Sequence, residues 1–219
     1  MYKIEAHFHT AETSGCATVP GAEGIRLCAE KRYSAVVVTD HYFGGFFKKS
    51  DTWAESANRF LAGYKSAKLA GELLGVHVLL GMELRFEGHF DDYLVYGADE
   101  RFLYDNPLLC YMNQHEFFRL ANESGLLLFQ AHPFRHGADN RCPEALHGIE
   151  VFNGNIRHNS RNDLALALAR EHELLEIAGS DFHVPEDVGI AAVLSERLPR
   201  DSQEFADILR SKKYTLETP

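Results

Sequence analysis

The chain has 219 residues, with 22 Lys and Arg against 32 Asp and Glu, a formal net charge of −10. That length gives one domain, residues 1–219, with a substantial core. The acidic balance argues against binding long nucleic acid, which calls for a basic face, and against a polybasic membrane anchor. No run approaches the ~18 apolar residues of a membrane span, and residues 1–5 carry no apolar signal region, so a cytoplasmic chain is expected.

In chain order, short apolar and β-branched runs predict strands at Tyr2–Phe8, Ala35–Thr39, His77–Glu83, Tyr93–Gly97, Leu126–Ala131, Ile149–Phe152 and Leu174–Ala178. Between them, helical spacing marks Ala22–Lys31, Ala54–Leu74, Asn113–Ser124 and Asn162–Glu171, and a last helix opens at Asp201 or Ser202. Continuous apolar runs such as Val36-Val37-Val38 suit strands buried on both faces. Alternating β and α segments predict parallel strands with crossover helices, in a compact β/α barrel. The segment Tyr42–Asp51, with its Gly pair and three Phe, reads as an apolar rim loop, either a lid over substrate or a hydrophobic plug.

The four cysteines, Cys16, Cys28, Cys110 and Cys142, form no CxxC pair, and reduced thiols are expected. Histidine is the unusual count, twelve against a single Trp. His7 and His9 end the first predicted strand and share a face, because side chains at i and i+2 point the same way. The second strand ends in Thr39-Asp40-His41, the third in Gly81-Met82-Glu83, the fifth in Ala131-His132-Pro133, and the seventh runs into Ser180-Asp181-Phe182-His183. In parallel β/α folds those C-terminal ends meet on one rim. Burying so many imidazoles and carboxylates together without partners costs several kcal/mol each, on the order of a lost buried polar contact. Metal ions resolve the problem, since they take neutral His and ionised carboxylates as ligands, and Glu83 has two oxygens with which to join two ions.

These motifs, His7-x-His9-Thr10, Thr39-Asp40-His41, Gly81-x-Glu83, Ala131-His132-Pro133 and Gly179-Ser180-Asp181-x-His183, resemble the PHP (polymerase and histidinol phosphatase) superfamily and span residues 7 to 183 in its order. The resemblance implies a distorted (β/α)7 barrel, TIM-barrel-like, with two or three divalent metal ions (Zn, Mn or Fe) at its rim. It implies that His7, His9, Glu83 and Asp181 surround one metal, that His132 shares a second with Glu83, and that His41 and His183 hold a third. Two positions depart from the family pattern. Asp92 stands where the family often has a His on its fourth strand, and Glu12 is the carboxylate in the loop after His9, where the family has an Asp or His. Both are carried as candidate ligands, with Glu12 alternatively orienting a ligand histidine. Cys16, close to this site, could ligate or oxidise, but a buried loop thiol is expected.

The activity this implies is phosphoester hydrolysis, most simply of a small phosphomonoester, by a hydroxide held between metals. Catalysis then rests on Glu83, Asp181 and His183. Arg135, Asn153, Arg157 and His158 are the candidate substrate contacts; the alternative for Arg135 is a surface pair with Asp139 or Glu144. Two other readings stand beside this one: an amidohydrolase-like C–N or C–O hydrolase on the same metals, and a non-enzymatic metal-binding module.

Overall fold

The computed structural model describes residues 1–138 and 142–219; Asp139 lies outside them. The chain runs through β1 (Tyr2–Phe8), α1 (Gly21–Glu30), β2 (Ala35–Val38), β3 (His41–Tyr42), α2 (Trp53–Phe60), α3 (Ala62–Leu74), β4 (His77–Leu80), β5 (Met82–Arg85), β6 (Asp92–Tyr96), α4 (Glu100–Asp105), α5 (Gln114–Glu123), β7 (Leu127–Gln130), β8 (Gly148–Asn153), α6 (Asn162–Glu171), β9 (Leu175–Gly179), β10 (Ala192–Ser195), α7 (Ser202–Ser211) and β11 (Tyr214–Glu217).

The strands form two sheets, in the orders β11-β10-β1-β2-β4 and β3-β5-β6-β7-β8-β9. One expected strand proves to be a broken pair, and one short strand, β3, lies outside the expected set. The run expected at 77–83 becomes β4 and β5, interrupted at Gly81, and the chain leaving β2 resumes as β3 after Thr39 and Asp40. Backbone bonds from Gly81 to Val38 and from Glu83 to Asp40 carry the pairing across these breaks, so the two sheets share a seam there. At the other margin Phe8 bridges Phe182 in parallel. At Gly179 a Cβ would collide with His7 Cβ, so glycine lets β9 approach β1 this closely.

The α/β class is as expected, but the all-parallel expectation is corrected at two places. β6 runs antiparallel to both β5 and β7, and β10 and β11 add antiparallel strands beyond β1. A short connection explains the first. Only six residues separate β5 from β6, too few for the crossover that a parallel pair needs.

Val37, Leu79, Leu94, Phe129 and Ile177 come from strands of both sheets yet share one buried cluster, to which α7 adds Phe205, Ala206 and Leu209. The alternate residues, Val36 and Val38 among them, pack outward with Ile25, Phe60 and Leu61 from the helical segments. α5 starts where its cap dictates: Asn113 Oδ1 accepts from the Glu116 N–H while the Glu116 carboxylate accepts from the Asn113 N–H.

Candidate metal centre

Along the end of β1, Phe8 turns away to stack on Phe182, with ring centroids 4.5 Å apart. His7 and His9 therefore share the opposite face, both fully buried, with their Nε2 atoms 3.1 Å apart. Their other nitrogens are engaged. His7 Nδ1 lies 2.8 Å from Glu150 Oε1. His9 Nδ1 lies 3.1 Å from Ser14 Oγ, which donates its own proton to Asp40 Oδ1 at 2.7 Å. A carboxylate and an already-donating hydroxyl both accept, so each imidazole donates its Nδ1–H to them and turns an Nε2 lone pair inward.

Two carboxylates complete this centre. Glu83 Oε1 lies 3.0 Å from His132 Nε2 and 3.5 Å from His7 Nε2, while Oε2 lies 3.3 Å from His9 Nε2 and 2.7 Å from His41 Nδ1. Asp181 Oδ1 stands 3.4 Å from both His7 and His9 Nε2. His183 packs its ring on His9, with centroids 4.4 Å apart. Donor atoms within 4.8 Å of one another group as His7–His9–Glu83, His7–His132–Asp181, His9–His41–His183 and His41–Glu83–Asp92. Glu83 thus directs its two oxygens to different histidines.

The donors fit a cation. Four ligands about 2.0–2.1 Å from a zinc ion stand ~3.3–3.4 Å from each other, close to the 3.1–3.5 Å separations among His7, His9, Glu83 and Asp181. Among the described residues, buried Glu83 Oε2 accepts no hydrogen bond of good geometry, a costly state that a bound cation relieves.

The electrostatics agree. Burial, reinforced by His41 and His183, holds His9 well below its ordinary pKa, in the neutral form a ligand needs. Burial opposes charge on Glu83 and Asp181, but the surrounding histidines, His7 prominent among them, outweigh it and keep both carboxyls well below their usual range. Burial likewise disfavours charge on His7, yet Glu150, Asp181 and Glu83 raise its pKa; the centre attracts positive charge. Cys16, expected to be buried, is exposed, and its Sγ lies 3.1 Å from His183 Nε2. Partial burial pushes this thiol up, but contacts with His183 and His41 prevail and bring it down to about 6.

His132 and Asp181 also adopt left-handed backbone, with φ of 28° and 53°. Such conformations cost about 1–3 kcal/mol each in non-glycine residues and concentrate at functional sites.

Of the sequence candidates, His7, His9, His41, Glu83, His132, Asp181 and His183 come together. Glu12 does not: it is exposed, and its Oε2 accepts from the first N–H of α1, at Gly21. Asp92 reaches the edge of the cluster, but Arg85 and Arg135 bond its oxygens. Asn153 stands behind His7, donating to Glu150 Oε2 at 2.9 Å. Arg157 grips buried Asp187 with both terminal nitrogens. His158 borders the cluster, its Nε2 buried without a hydrogen bond and 3.5 Å from Asp181 Oδ2.

Sequence reading missed Glu150, Ser14, Arg85, Asn155 and Asp187. Glu150 left a signal, a carboxylate in the middle of an apolar strand, which demands a buried partner. Asn155 donates to Asp181 Oδ2 at 3.1 Å from a loop with no periodic pattern. In the rim loop Phe47 lies against Tyr42 and Trp53, with centroids 4.9 and 5.6 Å away, and Phe46 packs against Phe60, the contacts a hydrophobic plug makes.

The PHP-associated family model matches residues 159–214, which include Asp181 and His183. No curated protein matches the sequence. Among solved structures, the chain resembles a two-domain protein from Bacteroides vulgatus described as containing a predicted PHP-like metal-dependent phosphoesterase (TM-score 0.65, 18% identity). That match covers 99% of this chain and 64% of the other, so the chain spans less than two thirds of its length. It resembles PsfC from Pseudomonas syringae (TM-score 0.69, 16% identity, covering 100% and 91%). It also resembles an amidohydrolase from Chromobacterium violaceum with bound sulfate and no metal (TM-score 0.58, 18% identity, covering 94% and 95%). A segment of the chain thus matches the PHP-associated family model, and the whole chain has the α/β fold of these solved structures.

Proposed function

We propose that this chain is a metal-dependent phosphoesterase acting on a small phosphomonoester, with two or three divalent ions (Zn, Mn or Fe) held by His7, His9, His41, Glu83, His132, Asp181 and His183. The observation that carries this reading is the sharing of Glu83 between donor groups: one carboxylate serves His132 and His7 with one oxygen and His9 and His41 with the other. When bound, such ions supply Lewis acidity toward phosphoryl oxygens and an acidified water as nucleophile.

The remaining work falls to the protein. Glu150 and Ser14 fix the tautomers of His7 and His9 through their Nδ1 atoms. Asn155 holds Asp181 in place through Oδ2. His158 offers a buried Nε2 that, among the described residues, makes no hydrogen bond and lies 3.5 Å from Asp181 Oδ2, suited to donate to a phosphoryl or leaving-group oxygen. Arg135 has a planar guanidinium that suits the same anion. Glu12 is left out of the ligand set because it caps α1.

The test is hydrolysis of p-nitrophenyl phosphate and of a p-nitroanilide by metal-reconstituted protein. Phosphate release that fails in Asp181→Asn supports the proposal. Anilide cleavage alone would favour the amidohydrolase-like reading, and neither activity the binding-module reading.

A further inference from the structure

On β5, Arg85 lies two residues beyond Glu83 and so shares its face of the strand. Its cross-strand partner on β6 is Asp92. The guanidinium meets that carboxylate as a fork, Nε to Oδ1 at 2.7 Å and Nη2 to Oδ2 at 2.8 Å. Arg135 arrives from the other side, from the turn that begins at His132, and places Nη2 2.8 Å from the same Oδ2. Asp92 is fully buried, while the two arginines keep about a third and a quarter of their side chains exposed (33% and 27%).

This arrangement has surplus cation and surplus donors. Two guanidiniums against one carboxylate leave a net charge of about +1. Arg135 Nε is buried and has no hydrogen-bond partner among the described residues. Among the described residues, Arg85 Nη1 and Arg135 Nη1 also have no protein acceptor. Guanidinium N–H groups without a protein acceptor are free to bind an anion in place of water, and the planar fork matches phosphate oxygens. The location is right: Asp92 lies within 4.8 Å of donor atoms of both His41 and Glu83.

We infer that Arg85 and Arg135, clamped side by side on Asp92, form an anion site that takes the oxygens of a phosphoryl group, and that Asp92 is their anchor and not a metal ligand. The inference rests on the phosphoesterase reading for its substrate, but binding of the anion is measurable without turnover. Asp92 is accordingly a positioning residue.

The experiment uses the full metal-loaded chain, with inorganic phosphate titrated calorimetrically and metal content measured by elemental analysis. Arg85→Gln should weaken phosphate binding about tenfold or more, the loss expected for a charge-assisted pair, with metal content unchanged. Arg85→Lys should recover only part, since it restores charge without the fork. Because Arg85→Gln leaves a buried carboxylate with one partner fewer, the double variant Arg85→Gln/Asp92→Asn removes both charges and should show the same loss. Asp92→Asn alone should keep its metals and weaken phosphate binding. Unchanged phosphate affinity in the double variant, or loss of about one ion per chain in Asp92→Asn, overturns the inference. Arginine-dependent phosphate binding without phosphoester turnover would sustain the anion site while removing the proposed activity.

Discussion

His7 Nδ1 and Glu150 Oε1 stand 2.8 Å apart, and neither residue is reached by solvent. Glu150 extends its other oxygen to the backbone N–H of His132 and to Asn153 Nδ2, both at 2.9 Å. One carboxylate behind the cluster thus orients two candidate ligands, His7 through its ring and His132 through its backbone. Glu150→Gln preserves the shape but removes the charge that fixes the His7 tautomer. Metal affinity should fall about 10–100-fold, the usual effect of losing such a supporting partner. Competition with a chromogenic chelator measures this.

Arg157 and Asp187 make a different prediction from the one sequence alone suggests. Asp187 also accepts from the backbone N–H groups of His183 and Val184, at 2.8 and 3.0 Å. The pair therefore pins the loop that carries His183. Arg157→Gln should cost about 1–3 kcal/mol of stability through the lost charge-assisted bonds. Thermal unfolding and steady-state kinetics separate this from substrate contact: the melting temperature should drop, and KM should hold.

Phe47 is half-buried between Tyr42 and Trp53, whereas Phe43 is exposed. Truncating a packed aromatic loses burial and leaves a void. Phe47→Ala should destabilise by about 1–3 kcal/mol and Phe43→Ala by well under half of that, as denaturant titration would show. Equal effects would argue for a mobile lid.

His147 gives a pH dependence away from the metal centre. Its Nδ1 accepts from Leu128 N–H at 3.0 Å, which requires a neutral nitrogen. Burial, with the charge of Arg210, lowers its pKa from 6.5 to about 4. The unfolded chain then binds the proton first, so the contribution is complete above about pH 6.5 and is lost as pH falls toward 4. Relative to His147→Gln, the natural chain should lose about 1–2 kcal/mol across that window, a figure reduced for partial solvent screening. Urea titrations at pH 7 and pH 4.5 compare the two.

The residues carrying the fold and the cluster were largely legible in the sequence because both obey short-range rules. Strand ends delivered His7, His9, His41, Glu83, His132 and Asp181, and period-2 alternation put His7 and His9 on one face. Direction was less legible: nothing in Tyr93–Gly97 distinguishes a parallel strand from the antiparallel β6. The broken strand at Gly81 was hidden too, since the apolar pattern continues across it. Partnerships of long sequence separation were invisible. His7 with Glu150 spans 143 residues, and the Arg85–Asp92–Arg135 group depends on a hairpin meeting a distant turn. Asp92 was chosen for the family position it fills, but its charge partners lie on other segments.

The most direct test of the account is metal stoichiometry by elemental analysis of protein purified without chelator, beside Glu83→Gln. Glu83 faces four histidines with its two oxygens, so its charge should matter to more than one ion. Two to three transition-metal ions per chain are expected, on the order of full occupancy, with a clear fall in the variant. Less than about half an ion per chain, unchanged in Glu83→Gln and not restored by added Mn, Zn or Fe, would contradict that expectation.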